Sequence, residues 1–121
     1  MPRTISADAI DAMLAREKAL FVQRNPVSKQ LAEDTAKTWL RGVPMHWMVD
    51  WGMPFPLFVA KAQGVDVTDA DGNNYIDFCL GDTGAMAGHG PAPTIAAVER
   101  QLRRGITHML PTEDAIWAGE E

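Results

Sequence analysis

Cysteine is almost absent from this chain of 121 residues, which carries Cys79 alone. A single thiol cannot form an internal disulfide, and no second sulfur stands nearby to help bind zinc. The three histidines, His46, His89 and His108, are not spaced to place two ligands on one helix face. The sequence therefore predicts no metal site and fits a reducing, cytoplasmic setting.

An excess of positive charge and a long apolar run are also missing. The 11 Lys and Arg against 16 Asp and Glu give a net charge of -5, whereas nucleic-acid binding relies on a positive surface. The longest strongly apolar stretch, residues 53–60, contains two prolines and is far shorter than the roughly 20 residues that cross a bilayer. We expect neither nucleic acid nor a membrane as a partner.

Two helices are predicted at the start of the chain. Ser6 can cap a helix over residues 6–24, in which apolar positions recur at helical spacing. Asn25 and Pro26 then begin a second helix that runs to about Leu40, because Pro is well tolerated at a first helical position. Residues 1–40 are therefore interpreted as an N-terminal helical segment.

Residues 41–56, which we call the strap, are predicted to be irregular. They contain three prolines, two glycines and two tryptophans, a composition that neither a helix nor a central strand tolerates well. The Trp and Met side chains of the strap are too apolar to leave in water. The sequence leaves two coverings open for them, a partner subunit or the strap's own domain.

A small antiparallel sheet follows the strap. Apolar positions over residues 57–80 predict a three-stranded meander, and Asp71-Gly72 is typical of a tight hairpin turn. The carboxylates of this segment, Asp69 and Asp71, are interpreted as turn-forming groups. The predicted fold class is thus α+β.

A glycine-rich loop over residues 81–90 leads from the sheet into further helices. One helix is predicted from about residue 91 to 104, where Gly105 ends it. Thr112 can cap a last helix, in which no stop signal precedes Glu121. We expect the chain to be truncated within that helix.

Three motifs in this order resemble a known family. They read D-x-D-G, Y-x-D-F and a glycine-rich loop ending in G-H-x-P, formed here by Asp69, Asp71, Gly72, Tyr75, Asp77, Phe78, Gly88, His89 and Pro91. The combination resembles the class III, fold type I aminotransferases that depend on pyridoxal 5'-phosphate (PLP). Within them it is similar to the branch of glutamate-1-semialdehyde aminomutase, D-phenylglycine aminotransferase and β-amino acid transaminases. The resemblance covers about residues 40–121.

That resemblance implies an N-terminal portion of a homodimeric enzyme with a large α/β domain. Residues 57–121 would form the N-terminal part of the small domain, cut off before the large domain that binds PLP. The lysine that forms a Schiff base with PLP is then expected beyond Glu121. No catalytic or cofactor-binding residue is assigned here, because the lysines of this chain match no Schiff-base context, and the portion alone is expected to be inactive.

In this family the strap and the glycine-rich loop border the mouth of the active site. The resemblance therefore makes five residues candidates for substrate binding: Asp82, Thr83, Gly84, His46 and Trp47. Thr83 stands where relatives often carry an aromatic or small residue, which implies more room and a hydroxyl for hydrogen bonding.

The strap of several relatives also carries a Ser or Arg that holds a substrate carboxylate. Here the corresponding stretch reads Gly-Val-Pro-Met-His-Trp over residues 42–47. Without a guanidinium to bind a carboxylate through two hydrogen bonds, an ordinary α- or β-amino acid substrate is disfavoured.

Several functions stay open at this point. The leading hypothesis is amino-group transfer from an amino donor to a carbonyl acceptor, with an aminomutase or a racemase as variants on the same fold. An alternative of another class is a non-catalytic interaction module that buries the strap in a partner. A reading frame that continues into a lysine-bearing domain would favour the enzyme, and a stop codon after Glu121 would favour the module.

Overall fold

The computed structural model describes residues 6–120, so residues 1–5 of the predicted N-terminal helical segment and Glu121 lie outside the described range. Within that range the chain forms four α-helices and one small three-stranded sheet. The elements are α1 (Ala7–Arg24), α2 (Pro26–Thr35), β1 (Val59–Gln63), β2 (Asp66–Asp69), β3 (Asn74–Ile76), α3 (Ala92–Leu102) and α4 (Asp114–Glu120). The predicted α+β arrangement is confirmed.

The first two helices meet at a break that polar side chains define. Ser6 caps α1, since its Oγ accepts a hydrogen bond of 3.2 Å from the backbone N–H of Ala9. At the other end, Asn25 leaves the helical conformation, and its side-chain amide donates to the carbonyl of Phe21 at 2.8 Å. Pro26 then occupies the first turn of α2.

Helix α2 is shorter than predicted, because it ends at Thr35 and not near Leu40. The Thr35 hydroxyl donates to the carbonyl of Leu31 at 3.0 Å, a local bond that competes with continuation of the helix. Trp39 is already extended, and the chain then returns to α2 at Gly42, which has a φ of 74° and where an added Cβ would lie 3.4 Å from the backbone of Ala36. The end of α2 is therefore set by contact with the strap.

The strap is irregular, as predicted. It contains two short 3-10 turns, Leu40–Gly42 and His46–Val49, joined by extended residues. Val43 lies between them and is 6% exposed, the only hydrophobic side chain that is buried in the described part of the chain. The strap thus packs against α2 along one short stretch.

The sheet is the predicted antiparallel meander, with strand order β1-β2-β3. Lys61 pairs with Thr68 and Thr68 with Asn74, while an irregularity between Val59 and Lys61 bends β1. The turn between β2 and β3 contains Asp71-Gly72, as the sequence indicated, and Gly72 has a φ of 86°. The sheet therefore matches its sequence prediction closely.

A buried polar network joins the helices to the sheet. The carboxylate of Asp69 accepts hydrogen bonds from the backbone N–H groups of Asp71 and Asn73 and from the Tyr75 hydroxyl, so it forms the turn as predicted. The Asn73 amide also donates to the Asn25 side chain at 3.1 Å. Burial would raise the pKa of Asp69, but these hydrogen bonds, led by those from Asn73, hold it below its usual value.

The interpretation of Asp71 as a turn-forming group is wrong. Its carboxylate points away from the turn and accepts three hydrogen bonds at the start of α2, from the backbone N–H groups of Val27 and Ser28 and from the Ser28 hydroxyl at 2.7 Å. The first N–H groups of a helix have no partner within it, so a carboxylate there is favourable. This residue caps a helix that lies more than 40 positions earlier in the chain.

Most of the large hydrophobic side chains are exposed. Trp51 is 65% exposed, Phe78 94% and Met109 fully exposed, and similar side chains lie along the strap, α3 and α4. Burial of apolar surface is the main driving force of folding, and this chain by itself achieves little of it. None of the helices within residues 6–120 is long and apolar enough to span a membrane.

Candidate substrate-binding cavity

Asp77 ties together the two ends of the glycine-rich loop. Its Oδ1 accepts hydrogen bonds of 2.9 Å from the backbone N–H groups of Cys79 and Leu80, where the loop begins. Its Oδ2 lies 2.7 Å from Nε2 of His89, where the loop ends. The hydrogen bond from His89, followed by the one from Leu80, lowers the pKa of Asp77, so this carboxyl is ionised at neutral pH and Nε2 is the donor.

His89 is also fixed through its backbone. Its N–H donates to the carbonyl of Gly64 at 2.7 Å, and the N–H of Gly64 donates back at 2.8 Å, which docks the loop on the turn between β1 and β2. Gly88 has a φ of 85°, and a side chain there would lie 3.1 Å from Cα of Gly64. These contacts make His89 a residue that positions the loop.

The start of the loop is wound in the left-handed conformation. Leu80, Gly81 and Asp82 have φ values of 50°, 60° and 59°, which a leucine adopts only at a steric cost. Backbone hydrogen bonds from Ala85 to Leu80 and from Gly84 to Gly81 close the turn. As a result Asp82 folds back on the start of the loop, where the Cys79 thiol donates to its Oδ1 at 3.3 Å.

The strap brings two indole rings to the same place. Trp47 lies in the 3-10 turn His46–Val49, and the N–H of Asp50 closes that turn on the carbonyl of Trp47. Trp51 follows directly, so that the two rings meet edge to face, with centroids 6.4 Å apart and planes at 85°. This is the preferred geometry of an aromatic pair.

Strap and loop together border an open cavity of about 440 Å³. Its walls are Trp47, Trp51, Cys79, Gly81 and Asp82. The volume falls within the range of small-molecule sites, which are mostly apolar with a few polar groups. No cationic side chain is among these lining residues, and Asp82 supplies the one carboxylate. We call this space the Trp/Asp cavity.

The five residues predicted to bind substrate are divided by this geometry. Trp47 and Asp82, which are 35 positions apart in the sequence, line the Trp/Asp cavity, whereas His46, Thr83 and Gly84 do not. Sequence reasoning missed Trp51 and Cys79. Their proximity to Trp47 and Asp82 in the chain was a signal that could have found them.

The strap does contain an arginine immediately before the stretch considered above. Its guanidinium forms an ion pair with Asp50, with Nη2 and Oδ1 3.1 Å apart, and both side chains are about half exposed. Arg41 borders an adjoining groove between α2 and the strap, which shares Trp51 with the Trp/Asp cavity, but Arg41 is not among the lining residues of that cavity.

The described residues do not form a site for PLP or for a metal ion. All four lysines, Lys18, Lys29, Lys37 and Lys61, are exposed. Two of them, Lys29 and Lys37, form ion pairs with acidic residues of α2. None of the four lines the Trp/Asp cavity. Residues 6–120 also bring together no group of three His, Cys, Asp or Glu side chains that could hold a metal ion.

The known proteins to which this chain is similar are aminomutases and aminotransferases. The chain is 38% identical over 94 residues to glutamate-1-semialdehyde 2,1-aminomutase of Methanocaldococcus jannaschii, covering 78% of this chain and 22% of that protein. It matches the crystal structure of a glutamate-1-semialdehyde-aminomutase from Pseudomonas aeruginosa PAO1 with a TM-score of 0.90 and 44% identity, over 96% of this chain and 26% of that one. A variant from the same organism, in complex with PMP, matches equally well.

A further solved relative is an aminotransferase. A β-phenylalanine aminotransferase from Variovorax paradoxus has a TM-score of 0.78 and 30% identity, over 86% of this chain and 24% of that one. No protein-family model matches the chain. This chain spans about a quarter of the length of these solved relatives. In sequence and in fold, it belongs to the class III, fold type I family of PLP-dependent aminotransferases and aminomutases.

Proposed function

We propose that this chain is part of a PLP-dependent enzyme that transfers an amino group between an amino compound and a keto or aldehyde acceptor. The observation that supports this most is the Trp/Asp cavity, built from two distant segments on a backbone that matches an aminomutase with a TM-score of 0.90. When bound, PLP supplies an electron sink that stabilises negative charge on the substrate carbon. The residues that hold PLP belong to the rest of the polypeptide.

The part played by this chain is to shape the space beside the reacting group. The two indoles form an apolar wall, and the loop that carries Asp82 is fixed at both ends by Asp77. A wall held in place before the substrate arrives orients it at little entropic cost. Predicted substrate contacts from His46, Thr83 and Gly84 would require the substrate to extend beyond the Trp/Asp cavity.

The assembly is also part of this proposal. We assign residues 1–40 to an N-terminal helical segment, 41–56 to the strap and 57–121 to the start of the small domain of a cytoplasmic homodimer. The exposed methionines of the strap, Met45 and Met53, support a covering by the second subunit, since apolar side chains of this kind seldom stay in water. The small-molecule partners are an amino donor and a carbonyl acceptor.

An intramolecular aminomutase is the second candidate, because the closely matching relatives named above include glutamate-1-semialdehyde aminomutases. No contact in the described residues favours a racemase or a non-catalytic interaction module. Transaminase and aminomutase differ in whether the amino group leaves for a second molecule.

The test uses protein from the complete reading frame, reconstituted with PLP. We expect an absorption band of lysine-bound PLP that changes when a primary amine is added, with product forming only when a keto acid is also present. Product formation from one substrate alone would favour the aminomutase. The absence of any PLP band would contradict both and leave a protein that shares the fold without the chemistry.

A further inference from the structure

We propose that the Trp/Asp cavity is a specificity subsite that accepts an aromatic or aliphatic substituent of the amine and excludes a carboxylate. This inference rests on the proposed function and adds the class of substrate to it. Trp51 and Asp82 are the residues that would set the preference, the first by attraction and the second by repulsion.

The attraction comes from the two indoles. Trp47 and Trp51 stand at 85° to each other, so they present two walls that meet at a corner. They remain 45% and 65% exposed, which leaves much of their apolar surface for a ligand to cover. Covering that surface with an apolar group is favourable in proportion to the area removed from water, and an aromatic substituent covers the most.

The repulsion comes from charge. Among residues 6–120, Asp82 is the only carboxylate that lines the cavity, and no Lys or Arg of that range lines it. Arg41, the cation of the strap, is paired with Asp50 and borders the adjoining groove on the other side of Trp51, where that ion pair already offsets its charge. An anionic substituent in the cavity would therefore lose its hydration without gaining a counter-ion, and the charge of Asp82 would repel it. The loss of hydration and the repulsion both disfavour its binding.

The position of Asp82 is fixed by the backbone. Its φ of 59° belongs to a turn of three left-handed residues, and the Cys79 thiol holds Oδ1 at 3.3 Å. Asn tolerates the left-handed conformation as well as Asp does. The substitution Asp82→Asn therefore removes the charge while keeping the backbone, which makes it a clean probe of the repulsion.

The experiment compares three amines on the complete, PLP-loaded protein. sec-Butylamine and 3-aminobutanoate differ at one end of the molecule, where the first has a methyl group and the second a carboxylate. 1-Phenylethylamine carries an aromatic ring on the carbon that bears the amino group. We expect kcat/KM to be higher for sec-butylamine and 1-phenylethylamine than for 3-aminobutanoate.

Two variants separate the two effects. Trp51→Ala should lower kcat/KM for 1-phenylethylamine by at least about tenfold and have a smaller effect on sec-butylamine. Asp82→Asn should raise kcat/KM for 3-aminobutanoate relative to sec-butylamine by roughly three- to tenfold. Trp39→Ala is the matched control, because Trp39 is 51% exposed and is not among the lining residues of the Trp/Asp cavity.

A preference of the unaltered enzyme for 3-aminobutanoate, lost in Arg41→Ala, would overturn the proposal and place a carboxylate site at Arg41. If the ratio of kcat/KM for 3-aminobutanoate to kcat/KM for sec-butylamine is the same in Asp82→Asn as in the unaltered enzyme, Asp82 does not repel the carboxylate. Binding of 1-phenylethanol, which carries no reactive nitrogen, is measured by calorimetry on the cofactor-free protein and on its Trp51→Ala variant. Weaker binding in the variant supports the subsite even if no PLP band forms, and equal binding in both contradicts it.

Discussion

Single residues hold the helices to the sheet mainly through polar contacts. Ser28 is completely buried, and its hydroxyl donates to Oδ2 of Asp71 at 2.7 Å. Deletion of one partner of a buried hydrogen bond costs more than the bond itself contributes, because the other partner stays buried and unsatisfied. The contact between α2 and the hairpin therefore depends strongly on this serine.

Ser28→Ala should lower the free energy of unfolding by about 1–2 kcal/mol, measured by urea denaturation of the complete protein. Lys29→Ala is the control, since Lys29 is exposed and its ion pair with Glu33, at 3.7 Å, is of the kind that contributes little. Equal losses in the two variants would show that the network around Asp71 does not stabilise the fold.

Asp77 links stability to pH. Its pKa is lowered in the folded chain, chiefly by His89, from an ordinary value of 3.8. A lowered folded-state pKa gives stabilisation that is fully present above 3.8 and is lost as the pH falls through the folded value. This contribution is absent when the side chain cannot ionise.

The thermal midpoint of Asp77→Asn should therefore lie below that of the unaltered protein at pH 7, and the difference should shrink as the pH falls below 3.8. Thermal unfolding of both proteins at a series of pH values measures this. A difference that stays constant down to pH values well below 3.8 would mean that ionisation of Asp77 does not support the loop.

At the scale of elements, the glycine-rich loop is docked on the sheet where Gly88 lies against Gly64. Gly72, in the turn between β2 and β3, serves as the comparison. Gly88 and Gly72 have almost the same φ, 85° and 86°, but a side chain at Gly88 would meet the backbone of Gly64, whereas Gly72 faces open space. Gly72→Ala should cost about 1–2 kcal/mol from its conformation alone. Gly88→Ala adds a tight contact, because its Cβ would lie 3.1 Å from Cα of Gly64 and the backbone there would have to shift.

We therefore expect Gly88→Ala to destabilise the complete protein by roughly 1–3 kcal/mol more than Gly72→Ala does, as measured by chemical denaturation. Similar values for the two variants would indicate that the loop is not docked against Gly64 in solution.

The elements also show which parts of the fold can be predicted from the local sequence. Ser6, Pro26 and the Asp71-Gly72 turn act through neighbours a few positions away, so the start of α1, the start of α2 and the hairpin were predicted correctly. The end of α2 depends on the packing of Gly42 against Ala36, and the role of Asp71 depends on Ser28. Such contacts bring together distant positions, which local pattern does not reveal.

The candidate cavity follows the same rule. Trp47 and Asp82 were proposed from the resemblance to a family, and they line one space. Trp51 was noted only as an apolar residue that needs cover, because its edge-to-face contact with Trp47 depends on the 3-10 turn between them. Composition identified the strap, but only the backbone shows which face of it borders the loop.

For the whole molecule, the balance between buried and exposed apolar surface is decisive. Val43 is the only buried hydrophobic residue in the described range, while side chains such as Trp51 and Phe78 are largely exposed. Folding must offset about 1–2 kcal/mol of backbone entropy per residue, mostly by apolar burial. This chain has too little of that burial to be stable alone.

Residues 1–121 produced alone should therefore aggregate or form oligomers, and they should lack a cooperative thermal transition. Size-exclusion chromatography with light scattering and calorimetry checks this, with the complete protein as the control. A monomer that unfolds sharply would contradict the view that the apolar strap and sheet need a covering domain.

The central claim is that this chain shapes the active site of a PLP enzyme whose cofactor lysine lies elsewhere in the polypeptide. The most direct test is borohydride reduction of the complete, PLP-loaded protein, followed by peptide mapping of the lysine that retains the label. We predict a single labelled lysine outside residues 1–121. A label on Lys18, Lys29, Lys37 or Lys61, or no specific label at all, would contradict the claim.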